Sequence, residues 1–206
     1  MPMYRIRIVL QLILLLAAGA CATPEPMALH GAEPPEGIDF SGTWALRNPD
    51  SADQRDINRA VRRAEGDKSG GVPSRNSSSS SNRPALVHVF LETGELLKIS
   101  QTPYAFFVSV DRSVVEEFRF GEHRSVNVGQ IIGERVSGWD GPVYVVETKD
   151  KNGNKLIERF WLSNDNSVLN REITFQGRKE SRGTAMQFFD RTDGKDATVD
   201  SGDGAG

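Results

Sequence analysis

The chain has 206 residues, a formal net charge of −3 and a hydrophobic content of 37%, which suits one domain of ordinary size. Its mild acidity argues against a dedicated nucleic-acid-binding protein, which would carry a basic balance. With a single cysteine the chain has no internal disulfide, so the domain must be stable without a covalent cross-link.

The first twenty residues have the order of a secretory signal peptide. Arg5 and Arg7 form a short basic region, and an almost wholly apolar run follows. This run is shorter than the roughly 20 residues that a membrane-spanning helix needs, and it ends in small residues just before Cys21. Residues 1–20 are therefore predicted to be a cleaved signal peptide.

The residues at the predicted cleavage site resemble the lipobox of bacterial lipoproteins. Ala18-Gly19-Ala20-Cys21 places small residues before the single cysteine, although most lipoboxes carry Leu where Ala18 stands. The resemblance implies cleavage before Cys21, a lipid on that cysteine and, because Ala22 follows instead of Asp, sorting to the periplasmic side of the outer membrane. An ordinary signal peptide is the alternative, because Ala18-x-Ala20 is also an A-x-A cleavage site.

Three segments of low complexity surround or interrupt the predicted folded region. Residues 21–37 contain four prolines and little apolar content, so they are predicted to be a lipidated tether. The Ser/Gly-rich segment 66–83 and the Gly/Asp-rich tail 192–206 are predicted to be disordered, because they cannot bury enough apolar surface to fold. The domain itself is expected over residues 38–191.

The first strand and a helix open the domain. Alternating residues of the segment 40–46 share one face of a predicted strand, namely Phe40, Gly42, Trp44 and Leu46. A helix is predicted over residues 50–65, where four residues form one apolar stripe: Ile57, Ala60, Val61 and Ala64. A short helix is favoured over a strand for residues 84–92.

Most of the arginines of the predicted helix lie off its apolar stripe. Such a face is more typical of a solvated surface than of a binding site. The functional alternative is contact with anionic lipid headgroups near the anchor.

From residue 95 onward, short apolar runs alternate with turn residues at a spacing of about ten. This spacing predicts antiparallel hairpins, and a sheet of about ten strands tends to close on itself. We therefore predict an all-β fold, an antiparallel up-and-down meander barrel of about 8–10 strands, with the helix and the disordered loop inserted after the first strand. The strands are predicted at residues 95–101, 104–110, 114–120, 124–128, 131–139, 142–149, 154–163, 167–176 and 183–191.

Gly42-Thr43-Trp44 in the first strand resembles the G-x-W signature of the calycins, the lipocalins and fatty-acid-binding proteins. In those families the Trp closes one end of the barrel and an Arg from near the last strand packs across it. The resemblance implies that Arg191 packs on Trp44, with Gly42 and Trp44 as barrel-closing structural residues. It covers roughly residues 38–191, and the long Ser-rich loop departs from the family pattern.

No catalytic or metal-binding constellation stands out in the sequence. The three histidines, His30, His88 and His123, do not stand at metal-ligand spacing from one another or from a Cys. The serine run 77–81 lacks the G-x-S-x-G turn of hydrolases, and the chain has no phosphate-cradling glycine motif. We therefore predict a non-enzymatic protein with no cofactor and no metal.

Some charged residues of the predicted strands share a face with apolar residues. Glu158 and Arg171 lie on neighbouring strands of one predicted hairpin, where they would be polar anchors in a mostly apolar ligand cavity, and an arginine would suit a carboxylate ligand. Arg159 and Trp161 compete for this role from the opposite face. The sequence does not decide which face is interior, so an outward or purely structural ion pair is the alternative.

Two functions follow from this interpretation. The leading hypothesis is a lipid-anchored, non-enzymatic envelope protein that binds a hydrophobic or amphipathic small molecule in a calycin-like barrel. The alternative is a filled barrel that acts as a structural or interaction lipoprotein of the outer membrane, since small meander barrels can be packed solid. Large side chains that meet across the interior would favour the filled barrel.

Overall fold

A computed structural model describes residues 27–49, 51–64, 86–177 and 181–193 of the chain. The predicted signal peptide, Cys21, the loop over residues 66–83 and the tail beyond residue 193 lie outside these residues. Within the described part of the chain, no helix has the length and apolar character that a membrane crossing requires.

Ten antiparallel strands follow one another as an up-and-down meander. β1 pairs with both β2 and β10, so the sheet curls into a barrel whose seam lies between β4 and β5. The predicted all-β meander barrel is confirmed. The strands are β1 (Gly42–Leu46), β2 (Leu96–Gln101), β3 (Ala105–Val110), β4 (Val114–Arg119), β5 (Glu122–Val128), β6 (Ile131–Asp140), β7 (Val143–Asp150), β8 (Lys155–Leu162), β9 (Val168–Gln176) and β10 (Arg182–Thr192).

The helix predicted after the first strand is present as α1 (Ser51–Ala64), and a 3-10 helix (Leu86–Phe90) follows it before β2. The apolar stripe of α1 packs against the interior side of β9 and β10. Gly183 permits this close approach, because a Cβ there would overlap the carbonyl of Ala60. We call this part of the barrel the helix end.

The opposite end of the barrel holds a cluster of rings, and we call it the aromatic end. The segment 27–41 runs across it, and Gly31 exchanges two backbone hydrogen bonds of 2.8 and 2.9 Å with Trp139 of β6. Part of the predicted tether is therefore packed on the domain. The cluster consists of Phe40, Phe106, Phe120, Trp139 and Tyr144.

Candidate functional site

The register of the sheet decides which face of each strand is interior. On β8, Glu158 lies between Val146 of β7 and Ile173 of β9, all on the interior face and all at most 3% exposed. Arg171 of β9 lies opposite Phe160 on the same face. Glu158 and Arg171 are therefore inside the barrel.

Glu158 and Arg171 form a buried ion pair, and their side chains are 4% and 5% exposed. Nε of Arg171 donates to Oε2 of Glu158 at 3.0 Å, and Nη2 donates to the same oxygen. The remaining donations go to Oε1 of Gln187 at 3.3 Å and to the carbonyl of Glu92 at 2.9 Å. The guanidinium is thus already held by acceptors of the protein itself.

A small cavity adjoins this pair in the middle of the barrel. Its volume is about 20 Å³, which is room for roughly one water molecule. Pockets that hold drug-sized ligands are typically about 300–1,000 Å³. The apolar part of its lining comes from the strands around it: Leu97, Val108, Val110, Phe118 and Phe160.

A second ion pair lies beside the cavity and crosses the seam. Arg135 of β6 is 3% exposed and pairs with Glu116 of β4. Nε of Arg135 also donates to Oγ1 of Thr148 at 2.9 Å, and its guanidinium lies 5.3 Å from the ring centre of Phe118. Burial raises the pKa of Glu116 above its ordinary value, and it outweighs the opposing effect of Arg135.

Side chains close the seam where backbone pairing between β4 and β5 is missing. Nη2 of Arg124 donates to the carbonyl of Glu117 at 2.6 Å, and the hydroxyl of Ser137 donates to the carbonyl of Arg119 at 2.7 Å. Together with the Arg135–Glu116 pair, these bonds satisfy part of an exposed strand edge. Side-chain contacts thus hold β4 against β5 and β6 across the seam.

The polar wall of the cavity is rich in acceptors. It carries the carboxylates of Glu92, Glu116 and Glu158 beside the guanidinium of Arg171. A carboxylate ligand would have to displace Glu158 from Arg171 and would meet three negative groups. The expected carboxylate anchor is therefore already occupied by a residue of the chain, and a hydrogen-bond donor such as water suits this wall better.

The side chains of Arg159 and Trp161, which the sequence offered as alternatives from the opposite face of β8, are on the outside of the barrel. Arg159 projects outward and pairs with Glu172 of β9 at 3.0 Å. Trp161 shares that outer face, since residues alternate along β8. Neither residue lines the cavity.

The structure places Arg191 directly over Trp44, with its guanidinium carbon 4.3 Å from the ring centre. Nη1 of Arg191 donates to the carbonyl of Ser41 at 2.9 Å, and the indole of Trp44 donates to the carbonyl of Phe40 at 2.9 Å. Gly42 has a φ of 148°, and a Cβ there would approach Nη1 of Arg191 to 2.8 Å. Only glycine leaves room for this stacked arrangement.

The rings of the aromatic end pack around Phe106 in the barrel interior. The ring centres of Phe106 and Tyr144 are 4.3 Å apart, and those of Phe106 and Phe120 are 5.0 Å apart. The hydroxyl of Tyr144 and Nε1 of Trp139 are buried without a hydrogen-bond partner among the described residues. Large side chains thus meet across this end of the barrel.

Titratable side chains do not gather elsewhere in a way that suggests metal binding. In residues 27–49, 51–64, 86–177 and 181–193, no group of three or more His, Cys, Asp and Glu side chains could hold a metal ion. His123 pairs with Glu134 of β6 at 3.2 Å on the barrel surface.

Four interior polar residues were not singled out from the sequence: Glu92, Glu116, Arg135 and Gln187. A signal existed for Glu116, which alternates in phase with Phe118 and Phe120. Arg135 is in phase with Trp139, but Ser137, the one residue between them on that face, is small and polar and did not indicate which face is interior. Glu92 lies outside the strands, so periodicity could not assign it.

No family model matches the chain, and no curated protein matches its sequence. Solved structures of similar fold include secretory abundant heat soluble protein 4 from Ramazzottius varieornatus, with 12% identity, a TM-score of 0.46 and coverage of 81% of this chain and 99% of that one. Fatty-acid-binding protein 1 of Echinococcus granulosus has 11% identity, a TM-score of 0.44 and coverage of 74% and 97%. A protein described as the REP1-NXSQ fatty acid transporter has 12% identity, a TM-score of 0.44 and coverage of 75% and 97%. Fatty-acid-binding barrels therefore stand among the similar structures, while the fold assignment rests on the strand order and register above.

Proposed function

We propose that this protein is a non-enzymatic, lipid-anchored envelope protein whose barrel is filled and whose outer surface is the part that acts. The observation that supports this proposal is the small volume of the cavity beside the buried ion pairs. At about 20 Å³ it has room for roughly one water molecule, so this cavity does not have space for a hydrophobic ligand.

Three regions of the interior support a filled barrel. Rings occupy the aromatic end, and the two ion pairs occupy the middle. At the helix end, α1 packs against the interior side of β9 and β10, and its residues Ile57, Ala60 and Ala64 are at most 4% exposed. Emptying any of these regions for a ligand would expose apolar surface or separate a buried ion pair, and each change costs several kcal/mol (about 3–5 for one broken buried pair).

Small-molecule binding is the second candidate. It is favoured by one specific observation, the polar pair Glu158–Arg171 beside a cavity whose other wall is apolar. This arrangement is a common pattern of small-molecule sites. A ligand would then require an expanded barrel, which opens at the seam or beneath α1.

Native mass spectrometry of the protein purified gently from its own host distinguishes the two functions. A filled barrel gives the mass of the protein alone, apart from any lipid on Cys21. A co-purified small molecule of definite mass, released when the protein is unfolded, would overturn the filled barrel in favour of the binding function.

The proposed anchor rests on the lipobox resemblance at Cys21. Metabolic labelling with a fatty-acid analogue should label the wild-type precursor, and a Cys21→Ser precursor should lose the label. Equal labelling of the two proteins would remove the lipid anchor from the proposal.

A further inference from the structure

One face of α1 is a stripe of exposed arginines. Arg55, Arg59, Arg62 and Arg63 follow a helical spacing that puts them on one side, and all four are exposed. The opposite side of α1 is buried against β9 and β10, so the helix cannot turn its arginines inward. Within the described residues, Arg59 alone of the four has an ion-pair partner, Asp56 at 2.7 Å.

The helix is held firmly in this orientation. Ala60, on the buried apolar face of the helix, lies over Gly183. The carbonyl of Ala64 in the last turn accepts a hydrogen bond from Ser181. The guanidiniums therefore stand on a rigid support at the helix end of the barrel. A rigid cationic surface loses little conformational entropy when it binds an anionic partner.

The exposed charge at the other end of the barrel is mixed. Carboxylates lie around the segment that crosses the aromatic end, together with the exposed guanidiniums of Arg119 and Arg191. These exposed acids are Glu33, Glu36, Asp39, Asp140 and Asp165.

The proposed anchor enters at the aromatic end. The six peptide steps from Cys21 to Met27 span at most about 20 Å. β10, with 11 residues, is roughly 35 Å long at 3.3 Å per residue, and a strand tilt of about 40° reduces this to roughly 27 Å along the barrel axis. The connection is therefore too short to bring the helix end down onto the bilayer that holds the lipid. The arginine stripe therefore faces away from that membrane.

We propose that the arginine stripe of α1 binds an extended acidic segment of a partner protein. This inference rests on the proposed function, because it names the partner of the outer surface. From Arg55 to Arg63 the stripe is about 12 Å long, at 1.5 Å per residue. Alternate side chains of an extended chain are about 7 Å apart, close to the spacing of guanidiniums one helical turn apart, and guanidinium forks pair well with carboxylates.

A fluorescent peptide of alternating Glu and Ser is the probe, and its anisotropy is measured with the full chain as its host produces it, in non-ionic detergent. We expect saturable binding that weakens as salt is added. The combined variant Arg55→Gln, Arg62→Gln and Arg63→Gln should bind about tenfold more weakly, since three exposed pairs of about 0.5 kcal/mol each are lost.

The matched control removes three exposed positive charges from other parts of the surface, in the combined variant Lys98→Gln, Arg112→Gln and Lys151→Gln. It has the same net charge as the arginine variant, so equal weakening in both variants would show non-specific attraction and overturn the proposal. Thermal unfolding of both variants checks that each is folded, because all six side chains are exposed and the expected change in stability is small.

Binding of anionic phospholipid vesicles without binding of the peptide would assign the stripe to a membrane and overturn the proposal. Native mass spectrometry separates this failure from that of the proposed function. If the protein has its bare mass and does not bind the peptide, only the proposal of an acidic partner is overturned. If a small molecule co-purifies, the proposal of a filled barrel is overturned, and the result of the peptide experiment is unaffected.

Discussion

The aromatic end and the middle of the barrel are both occupied by side chains, but different forces hold these side chains in place. At the aromatic end, rings pack with neighbouring centres 4.3–5.5 Å apart, and two polar atoms of these rings, Nε1 of Trp139 and the hydroxyl of Tyr144, have no hydrogen-bond partner among the described residues. In the middle, buried charges are matched in pairs by Glu158–Arg171 and Glu116–Arg135. The first region depends on filled volume and the second on balanced charge. Changes of volume and changes of charge should therefore act differently in the two regions.

The largest effect is expected when one charge is removed from the middle. Arg171→Met leaves the carboxylate of Glu158 buried without its partner, so the free energy of unfolding should fall by about 3–5 kcal/mol. Chemical denaturation measures this change.

The double variant Arg171→Met with Glu158→Leu is the matched control, because it removes both charges and keeps apolar volume. We expect it to recover most of the lost stability, as replaced buried ion pairs commonly do. A double variant as unstable as Arg171→Met alone would mean that packing, and not charge balance, governs the middle of the barrel.

A pH dependence should follow from Glu116, which is partly exposed and pairs with Arg135. Burial raises its pKa in the folded state, so the folded protein binds a proton more readily than the unfolded chain. The stability that Glu116 contributes is therefore present below its unfolded-state pKa of about 4.3 and is lost as pH rises through the raised pKa.

Glu116→Gln isolates this contribution, since it cannot titrate. The stability of the wild type relative to this variant should fall as pH rises from about 4 upward, measured by urea unfolding. A difference that stays constant, or an NMR titration that places the carboxyl at or below its ordinary pKa, would contradict the prediction.

A smaller effect is expected where Arg191 stacks on Trp44 at the surface of the barrel. Arg191→Gln removes the cation from the ring face and should lower the free energy of unfolding by about 0.5–1 kcal/mol. Arg159→Gln is the comparison, because it removes an outward arginine that pairs with Glu172 and has no indole beneath it. Equal losses in the two variants would argue against a special role of the stacked pair.

The smallest effect is expected from a polar change at the aromatic end. The hydroxyl of Tyr144 is buried and has no hydrogen-bond partner of good geometry among the described residues. Tyr144→Phe should leave stability within about 0.5 kcal/mol of the wild type, since it removes no bond and keeps the ring. A loss as large as that of Arg171→Met would show that this end also depends on polar contacts.

Local patterns in the sequence predicted the elements of the fold with good precision. The strand predicted over residues 131–139 is present as Ile131–Asp140, and the helix predicted over 50–65 is present as Ser51–Ala64. Turn residues and period-two alternation carry this information because they act between near neighbours in the chain. The pairing of β1 with β10 also followed, since a meander of ten strands is most stable when its edges are covered.

The interior face could not be decided by the sequence, because both faces of β8 mix charged and apolar residues. Glu158 shares its face with Leu156 and Phe160, while Arg159 shares the other with Ile157 and Trp161. Only the pairing of β8 with β7 and β9 placed Glu158 inside and turned Arg159 toward Glu172.

The sequence by itself therefore determined the order of the elements and the antiparallel meander, while the G-x-W resemblance implied that Gly42, Trp44 and Arg191 belong together. The tertiary structure decided that large side chains meet across the aromatic end, that Arg171 is already held by Glu158, and that the arginines of α1 lie at the end of the barrel opposite residues 27–41. The physical reason is that periodicity reports which residues share a face, whereas cavity volume and charge balance depend on side chains that are distant in the chain. Glu116 and Arg135 lie 19 residues apart and meet only because the barrel brings β4 and β6 together across its seam.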